Sequence, residues 1–186
     1  MKLSKKQFDI LCCINEAKNC LSQREIEKKV DISLGSINKT MKELVDLGFV
    51  KDSLITDKGM EVLNQYRVKK AVFIAAGFGS RLAPITFNTP KPLVRVHGIR
   101  IIDRLIDACF CAGIDDIYIV RGYLAEQFDQ LLYKYPNLKF LENPVYNEAN
   151  NISSAYIARH LMENAYVLES DLLVSNPSII KKYHYT

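Results

Sequence analysis

The sequence predicts an α/β fold, an open parallel sheet with helices on both faces, preceded by a small and mainly helical domain. Before residue 66 the apolar residues follow helical spacing, whereas short apolar runs alternate with helical stretches after it. The apolar run at residues 71–76 also leads into a stretch with two glycines, three prolines and two cations. Open α/β sheets bind ligands at such strand ends. We therefore expect two domains, residues 1–66 and residues 67–186.

Composition is consistent with two small folded domains and argues against a membrane protein. The chain has 186 residues, is 48% hydrophobic and carries a net charge of +4. No apolar run approaches the length of a membrane span, and the first residues lack the apolar core of a signal peptide. The five cysteines form no CxxC pair, so we expect reduced thiols rather than disulfides or zinc. We expect a cytoplasmic protein without a membrane partner.

The first domain is expected to contain four helices and one small hairpin. The predicted elements are a helix capped by Ser4, a short helix to Lys29 opened by the capping box Ser22–Glu25, a helix over residues 33–47 ended by Gly48, a hairpin over residues 49–56, and a helix to Tyr66. This order, and the stretch "LSQREIEKKVDISLGSINKTMKELVDLGFV", resemble a winged helix-turn-helix domain.

Charge does not favour DNA binding by residues 1–66, although the resemblance makes it possible. The region has eleven Lys or Arg and ten Asp or Glu, a net charge of +1, which is not a basic footprint. The candidate contacts on the third helix are Ser36, Asn38, Lys39 and Lys42, with Glu43 and Asp46 on the same helix. The alternative is a solvated face on a packing or dimerising module, and a homodimer is possible.

In the second domain, strands and helices alternate. We predict strands over residues 71–76, 117–120, 138–141 and 165–168, and helices over residues 101–112, 125–135 and 152–162. Gly113, Gly122 and Pro136 lie at the expected element ends. Such alternation predicts a parallel, Rossmann-like sheet with helices on both faces.

The loop after the first of these strands, "AAGFGSRLAPITFNTPKPLV", carries the most specific motif in the chain. It lacks the third glycine of a dinucleotide fingerprint, and the chain has no P-loop. It resembles the nucleotidyltransferase signature G-x-G-[ST]-R followed by P-K-P-L. The resemblance implies a Rossmann-like nucleotidyltransferase sheet and assigns roles to six residues. It implies nucleotide contacts at Ala76, Gly77, Gly79 and Ser80, and catalytic cations at Arg81 and Lys91.

The resemblance also implies a magnesium site at the end of the fourth strand of this domain. The segment "AYVLESDLLV" places Glu169 and Asp171 there, and the family pattern selects Asp171 as the ligand of Mg²⁺. Carboxylates that share Mg²⁺ with phosphate oxygens are the usual arrangement. The alternative for Asp171 is a cap on a helix or turn.

Two further segments resemble the bacterial CTP:phosphocholine cytidylyltransferases: "VRGYLAEQFDQL" and "NPVYNEANNISSAYIARHL". The resemblance implies CTP and phosphocholine as substrates, with a sugar phosphate as the alternative acceptor. The nucleotide candidates are Asn143, Asn150 and Asn151, although the last two can instead cap a helix. The choline candidates are Tyr123, Tyr146 and Tyr156, because quaternary ammonium groups bind over aromatic rings.

The family's domain continues for several strands beyond the first metal residue, and those strands supply a second metal carboxylate. We therefore expect this chain to be part of a longer protein, or a degenerate copy, and we do not expect the 186 residues to catalyse alone. A nucleotide-sensing DNA-binding regulator is the alternative function.

Overall fold

The computed structural model describes residues 1–17, 20–148 and 151–185. They form two compact units. One contains Met1–Arg67 together with residues 183–185, and the other contains Val68–Lys182. We expected the second domain to continue to the end of the chain. The last described residues instead pack in the core of the first unit.

The first unit has the expected order of helices and hairpin. Its elements are α1 (Lys5–Glu16), α2 (Gln23–Glu27), α3 (Leu34–Asp46), β1 (Val50–Lys51), β2 (Leu54–Ile55) and α4 (Asp57–Asn64). The capping boxes of Ser4 with Gln7 and of Ser22 with Glu25 are both formed. The predicted start of each of these two helices is therefore confirmed, but α2 ends two residues before Lys29.

Two C-terminal tyrosines complete the core of the first unit. Tyr183 is 5% exposed, and its hydroxyl donates a hydrogen bond of 3.2 Å to Asn64 Oδ1. The Tyr185 ring stacks on Tyr66, with 5.7 Å between ring centroids, and its hydroxyl donates to the Leu3 carbonyl. Apolar burial and hydrogen bonds together hold residues 183–185 against α1 and α4.

The second unit contains a four-stranded parallel sheet. Its elements are β3 (Lys70–Ile74), β4 (Arg95–Val96), β5 (Ile99–Arg100), α5 (Ile101–Cys111), β6 (Asp116–Arg121), β7 (Lys139–Glu142), α6 (Asn151–Ala158) and β8 (Ala165–Glu169). The strand order is β7-β6-β3-β8, and each pair of neighbouring strands is parallel. β4 and β5 form a separate antiparallel hairpin that the sequence analysis did not predict.

Side chains of β3 point alternately into two apolar clusters. Ala71 and Phe73 join the cluster that contains α5, whereas Val72 and Ile74 pack in the cluster that contains Ala158 of α6. Because alternate side chains of a strand lie on opposite faces, the sheet has helices on both sides. This α/β architecture was predicted from the sequence and is confirmed.

Two predicted helices differ in type from the expectation. The segment Ala125–Tyr133 is a 3₁₀ helix, and α6 ends at Ala158 before a 3₁₀ turn at Arg159–Leu161. A 3₁₀ helix brings residues three apart onto one side. Phe128 and Leu131 have that spacing, and both are fully buried. Within the described ranges, no helix is both long and apolar enough to cross a membrane.

We predict that Tyr183→Ala destabilises the first unit by about 3 kcal/mol, because truncating a buried aromatic ring leaves a cavity. The change in unfolding free energy can be measured by urea denaturation monitored by circular dichroism. The matched control is Tyr133→Ala, since the Tyr133 side chain is 97% exposed. We expect an effect within about 0.5 kcal/mol for the control. Equal losses for both variants would contradict the packing of the C-terminal residues.

Candidate active site

A cleft with a volume of about 450 Å³ opens at the carboxyl ends of β3 and β8. From β3, the chain first extends the sheet on one side with β6 and β7 and later returns to pair β8 on the other side. Ligands of open α/β sheets bind where the strand order reverses in this way. The cleft is lined by Ile74, Ala75, Gly77, Gly79, Ser80, Arg81, Lys91, Pro92, Asn151, Glu169, Ser170 and Asp171.

The two glycines of the loop have different structural requirements. Gly79 has a φ of 64°, in the left-handed region that favours glycine. A Cβ at Gly79 would lie 3.0 Å from the Lys91 Cβ and 3.1 Å from the Thr86 Cγ2. A Cβ at Gly77 would meet nothing within 4 Å. Gly79 therefore permits close packing inside the loop, whereas Gly77 leaves the cleft open.

The two cations that line the cleft differ in whether they form an ion pair with a carboxylate. The Lys91 ammonium pairs with the Asp171 carboxylate, and both side chains are about one-third exposed. Arg81 is exposed and makes no hydrogen bond or ion pair with any described residue. The Arg81 guanidinium is thus available to an anion, whereas the charge of Lys91 is already balanced by Asp171.

Two carboxylates lie at the carboxyl end of β8, and both line the cleft. Glu169 Oε1 accepts a hydrogen bond of 2.7 Å from Asn151 Nδ2, and Asp171 pairs with Lys91. Ser170 lies between them, is buried, and donates both its amide and its hydroxyl to the Ile74 carbonyl. These contacts fix the end of β8 against β3. Ser170 was not selected in the sequence analysis, because its role depends on a strand 96 residues earlier.

Glu169 and Asp171 are hard oxygen ligands of the kind that Mg²⁺ prefers, and both line the cleft. Within the ranges that the structure describes, no group of three or more His, Cys, Asp or Glu could hold a metal.

The structure places two predicted nucleotide residues away from the cleft lining. Asn143 is 2% exposed, and its amide donates to the hydroxyls of Ser153 and Ser154 while its carbonyl accepts from the Val145 amide. Its polar groups are thus occupied by the protein. Ala76 is buried, and its carbonyl accepts a hydrogen bond from the Tyr123 amide. Asn150 lies outside the described residues.

The three predicted choline residues do not form one group. Tyr123 and Tyr146 lie on either side of Phe78, with centroid distances of 5.0 Å and 5.3 Å to its ring. Tyr156 is 65% exposed and instead carries the Arg159 guanidinium 4.0 Å above its ring. Phe78 was not selected from the sequence, although its position between Gly77 and Gly79 was a usable signal. The aromatic trio is therefore Phe78, Tyr123 and Tyr146.

These features define a class of protein: an α/β protein with a Rossmann-like sheet whose ligand cleft combines a cationic glycine loop with two carboxylates. A family model described as nucleotidyl transferase matches residues 70–185. The chain belongs to this family. A second model, described as winged helix-turn-helix DNA-binding, matches residues 3–51.

Several known proteins are similar to the second unit. A 2-aminoethylphosphonate cytidylyltransferase of Lancefieldella rimae is 43% identical over 113 residues, 60% of this chain and 46% of that protein. A choline-phosphate cytidylyltransferase of Streptococcus pneumoniae is 43% identical over 102 residues, 55% of this chain and 44% of that protein. The solved CTP:phosphocholine cytidylyltransferase of Streptococcus pneumoniae matches with a TM-score of 0.59 at 39% identity, covering 62% of this chain and 50% of that chain.

The resemblance to bacterial cytidylyltransferases predicted from the sequence is confirmed by these relatives. The chain spans about half the length of the relatives that it matches.

We predict that Gly79→Ala lowers the unfolding free energy of the second unit by about 1–2 kcal/mol, because a side chain at this φ is strained. Contact with Lys91 and Thr86 adds to the strain. The matched control is Gly77→Ala, for which we expect a change within about 0.5 kcal/mol. Urea denaturation of both variants measures the difference. A Gly79→Ala variant as stable as the control would show that the loop has another backbone conformation.

Proposed function

We propose that this chain forms the nucleotide-binding part of a transferase that moves a cytidylyl group from CTP to a phosphorylated small molecule. The observation that carries the proposal is the position of the signature loop. Its two cations, Arg81 and Lys91, line the same cleft as Glu169 and Asp171, at the switch point of the sheet. A cytidylyltransferase must bring two polyanions together, and preorganised charges are the main means of doing so.

In the proposed reaction, an oxygen of the acceptor phosphate attacks the α-phosphorus of CTP. The bond from that phosphorus to the bridging oxygen of the β-phosphate breaks, and pyrophosphate leaves. Arg81 is assigned to the β- and γ-phosphates, because its guanidinium is exposed, pairs with none of the described residues and can form a bidentate contact. Lys91 is assigned to the α-phosphate and the incoming phosphate, where a point charge can hold both.

Mg²⁺ is proposed as the cofactor. Asp171 would hold it, and Glu169 is the nearest second carboxylate along the chain. When bound, the ion would supply positive charge to the phosphate oxygens. Asn151 binds Glu169 through its amide, so its proposed contribution is to orient that carboxylate beside the nucleotide.

Phosphocholine is the proposed acceptor. The two relatives above are named for choline-phosphate and 2-aminoethylphosphonate, and both of these molecules carry a cationic nitrogen. In this chain, the aromatic trio provides faces that attract such a group, and Phe78 is 44% exposed. Contact between a desolvated quaternary ammonium and aromatic rings contributes about 2 kcal/mol or more. A sugar phosphate would need polar groups there instead.

We predict that the chain binds CTP in the presence of Mg²⁺ and that Arg81→Ala and Lys91→Ala each weaken binding by about 10-fold or more, since each removes charge-assisted hydrogen bonds. Isothermal titration calorimetry with CTP, UTP and ATP, with and without a chelator, measures these effects. Arg95→Ala is the matched control, because Arg95 is exposed on the β4–β5 hairpin and does not line the cleft.

The acceptor is tested by pyrophosphate release with phosphocholine, 2-aminoethylphosphonate or glucose 1-phosphate, using the protein encoded by the whole gene. Fastest turnover with glucose 1-phosphate would remove the choline proposal. CTP affinities that are equal in wild type and both cation variants would remove the assignment of the cleft.

The winged helix-turn-helix DNA-binding model that matches residues 3–51 supports a second candidate function, DNA binding by the first unit. Nearby carboxylates are occupied by local contacts: Glu27 accepts from the Leu34 amide, and Glu43 accepts from the Gln7 side chain. Hydrogen bonds from Ser22 lower the pKa of Glu25, which keeps that carboxylate ionised at the start of α2. The exposed face of α3 presents Lys39 and Lys42.

We predict weak duplex binding with a shallow salt dependence. Lys39, Lys42 and Lys6 could neutralise about three phosphates, which gives a slope of log K against log [salt] near −3. Fluorescence anisotropy with random duplex DNA between 50 and 200 mM salt measures it. Lys39→Ala should reduce the slope by about 1, whereas Lys181→Ala, on the second unit, should not. An unchanged slope in Lys39→Ala would exclude α3 as the contact surface.

A further inference from the structure

Three consecutive carbonyls of the signature loop accept hydrogen bonds from side chains of one neighbouring segment. The Tyr123 hydroxyl lies 3.0 Å from the Thr86 carbonyl oxygen and 2.9 Å from the Phe87 carbonyl oxygen. Gln127 Nε2 donates to the Asn88 carbonyl oxygen at 2.9 Å. Because a hydroxyl has one hydrogen, the Tyr123 contact is shared between two acceptors. Both side chains follow β6, far from the loop in sequence.

Apolar burial does little to hold this part of the loop. Ile85 and Phe87 are 59% and 64% exposed, and the local structure is a single 3₁₀ turn at Ile85–Phe87. A loop with exposed apolar side chains and short-range hydrogen bonds opens easily unless other groups restrain it. The contacts from Tyr123 and Gln127 supply that restraint.

Contacts of Thr86 connect the restrained part of the loop to the two cations. Thr86 is 2% exposed, and its hydroxyl donates to the Gly79 carbonyl oxygen at 3.0 Å. Gly79 in turn packs so closely on Thr86 and Lys91 that a Cβ there would approach both within 3.1 Å. Arg81 follows two residues after Gly79. A shift of Thr86 therefore displaces the backbone that carries both cations.

We propose that Tyr123 and Gln127 are positioning residues, which hold the loop so that Arg81 and Lys91 are preorganised for the nucleotide phosphates. The proposal rests on the nucleotide-binding function proposed above. Tyr123 is itself well fixed, because its amide donates to the Ala76 carbonyl and its ring packs on Phe78. Its hydroxyl holds the loop through hydrogen bonds. This positioning role is separate from the proposed contact between its ring and choline.

The variant that tests the proposal is Tyr123→Phe, which keeps the ring and removes only the hydroxyl. We expect CTP to bind about tenfold more weakly to this variant, since the loss of a hydrogen bond corresponds to roughly that factor. The matched control is Tyr133→Phe, whose side chain is 97% exposed. We expect wild-type CTP affinity for the control. If the ring alone matters, Tyr123→Phe will also bind like wild type, and the proposal is overturned.

A double-mutant cycle distinguishes positioning from a general loss of stability. If Tyr123 acts through the loop cations, its effect on CTP affinity should shrink in an Arg81→Ala background. An undiminished tenfold effect in that background would show that the hydroxyl acts independently of Arg81, and it would overturn the proposal.

Amide hydrogen exchange tests the positioning without any nucleotide. In Tyr123→Phe, the loop amides of Leu82, Ala83 and Phe87, which all bond within the loop, should exchange faster, while the amides of β6 should not change. A wild-type chain that fails to bind CTP would contradict the proposed function, and loop exchange would still decide the role of Tyr123. Unchanged loop exchange in Tyr123→Phe would contradict the positioning role even if CTP binds.

Discussion

The parallel pairing of β3 with β8 is the constraint on which the candidate site depends. Ile74, the last residue of β3, pairs with Glu169, and the Ile74 carbonyl accepts two hydrogen bonds from Ser170. The glycine loop leaves one strand, and the two carboxylates leave the other. Because both strands end at the same height, Lys91 and Asp171, which are 80 residues apart in sequence, meet in one cleft.

Local sequence patterns were sufficient for the four strands of the parallel sheet, the two capping boxes and the loop motif, because each of these depends on neighbouring residues. Long-range contacts could not be predicted in this way. No local pattern indicated that the Asn143 amide would donate to Ser153 and Ser154, or that the Tyr123 hydroxyl would donate to the Thr86 carbonyl in the loop. An asparagine or tyrosine has the same local pattern whether it binds a ligand or another part of the chain.

The position of residues 183–185 in the first unit is another long-range feature that local sequence patterns could not predict. The period change near residue 66 marks where one kind of secondary structure gives way to another. It contains no information about a later segment that returns to the first core. That return depends on Tyr183 and Tyr185, whose hydroxyls donate hydrogen bonds to the Asn64 side chain and the Leu3 carbonyl. A domain boundary placed at one position in the sequence therefore cannot reveal that a core also includes residues from beyond that boundary.

The ion pair between Lys91 and Asp171 has a consequence for the order of events in the cleft. Each partner neutralises the other, so a ligand that brings only negative charge must compete with Asp171 for Lys91, and a lone metal ion must compete with Lys91 for Asp171. The proposed metal–triphosphate complex would satisfy both partners at once. Binding of the metal and of the triphosphate would then be mutually reinforcing, and by linkage each would strengthen the other by the same factor. The ion pair would thus favour the complex over either component alone.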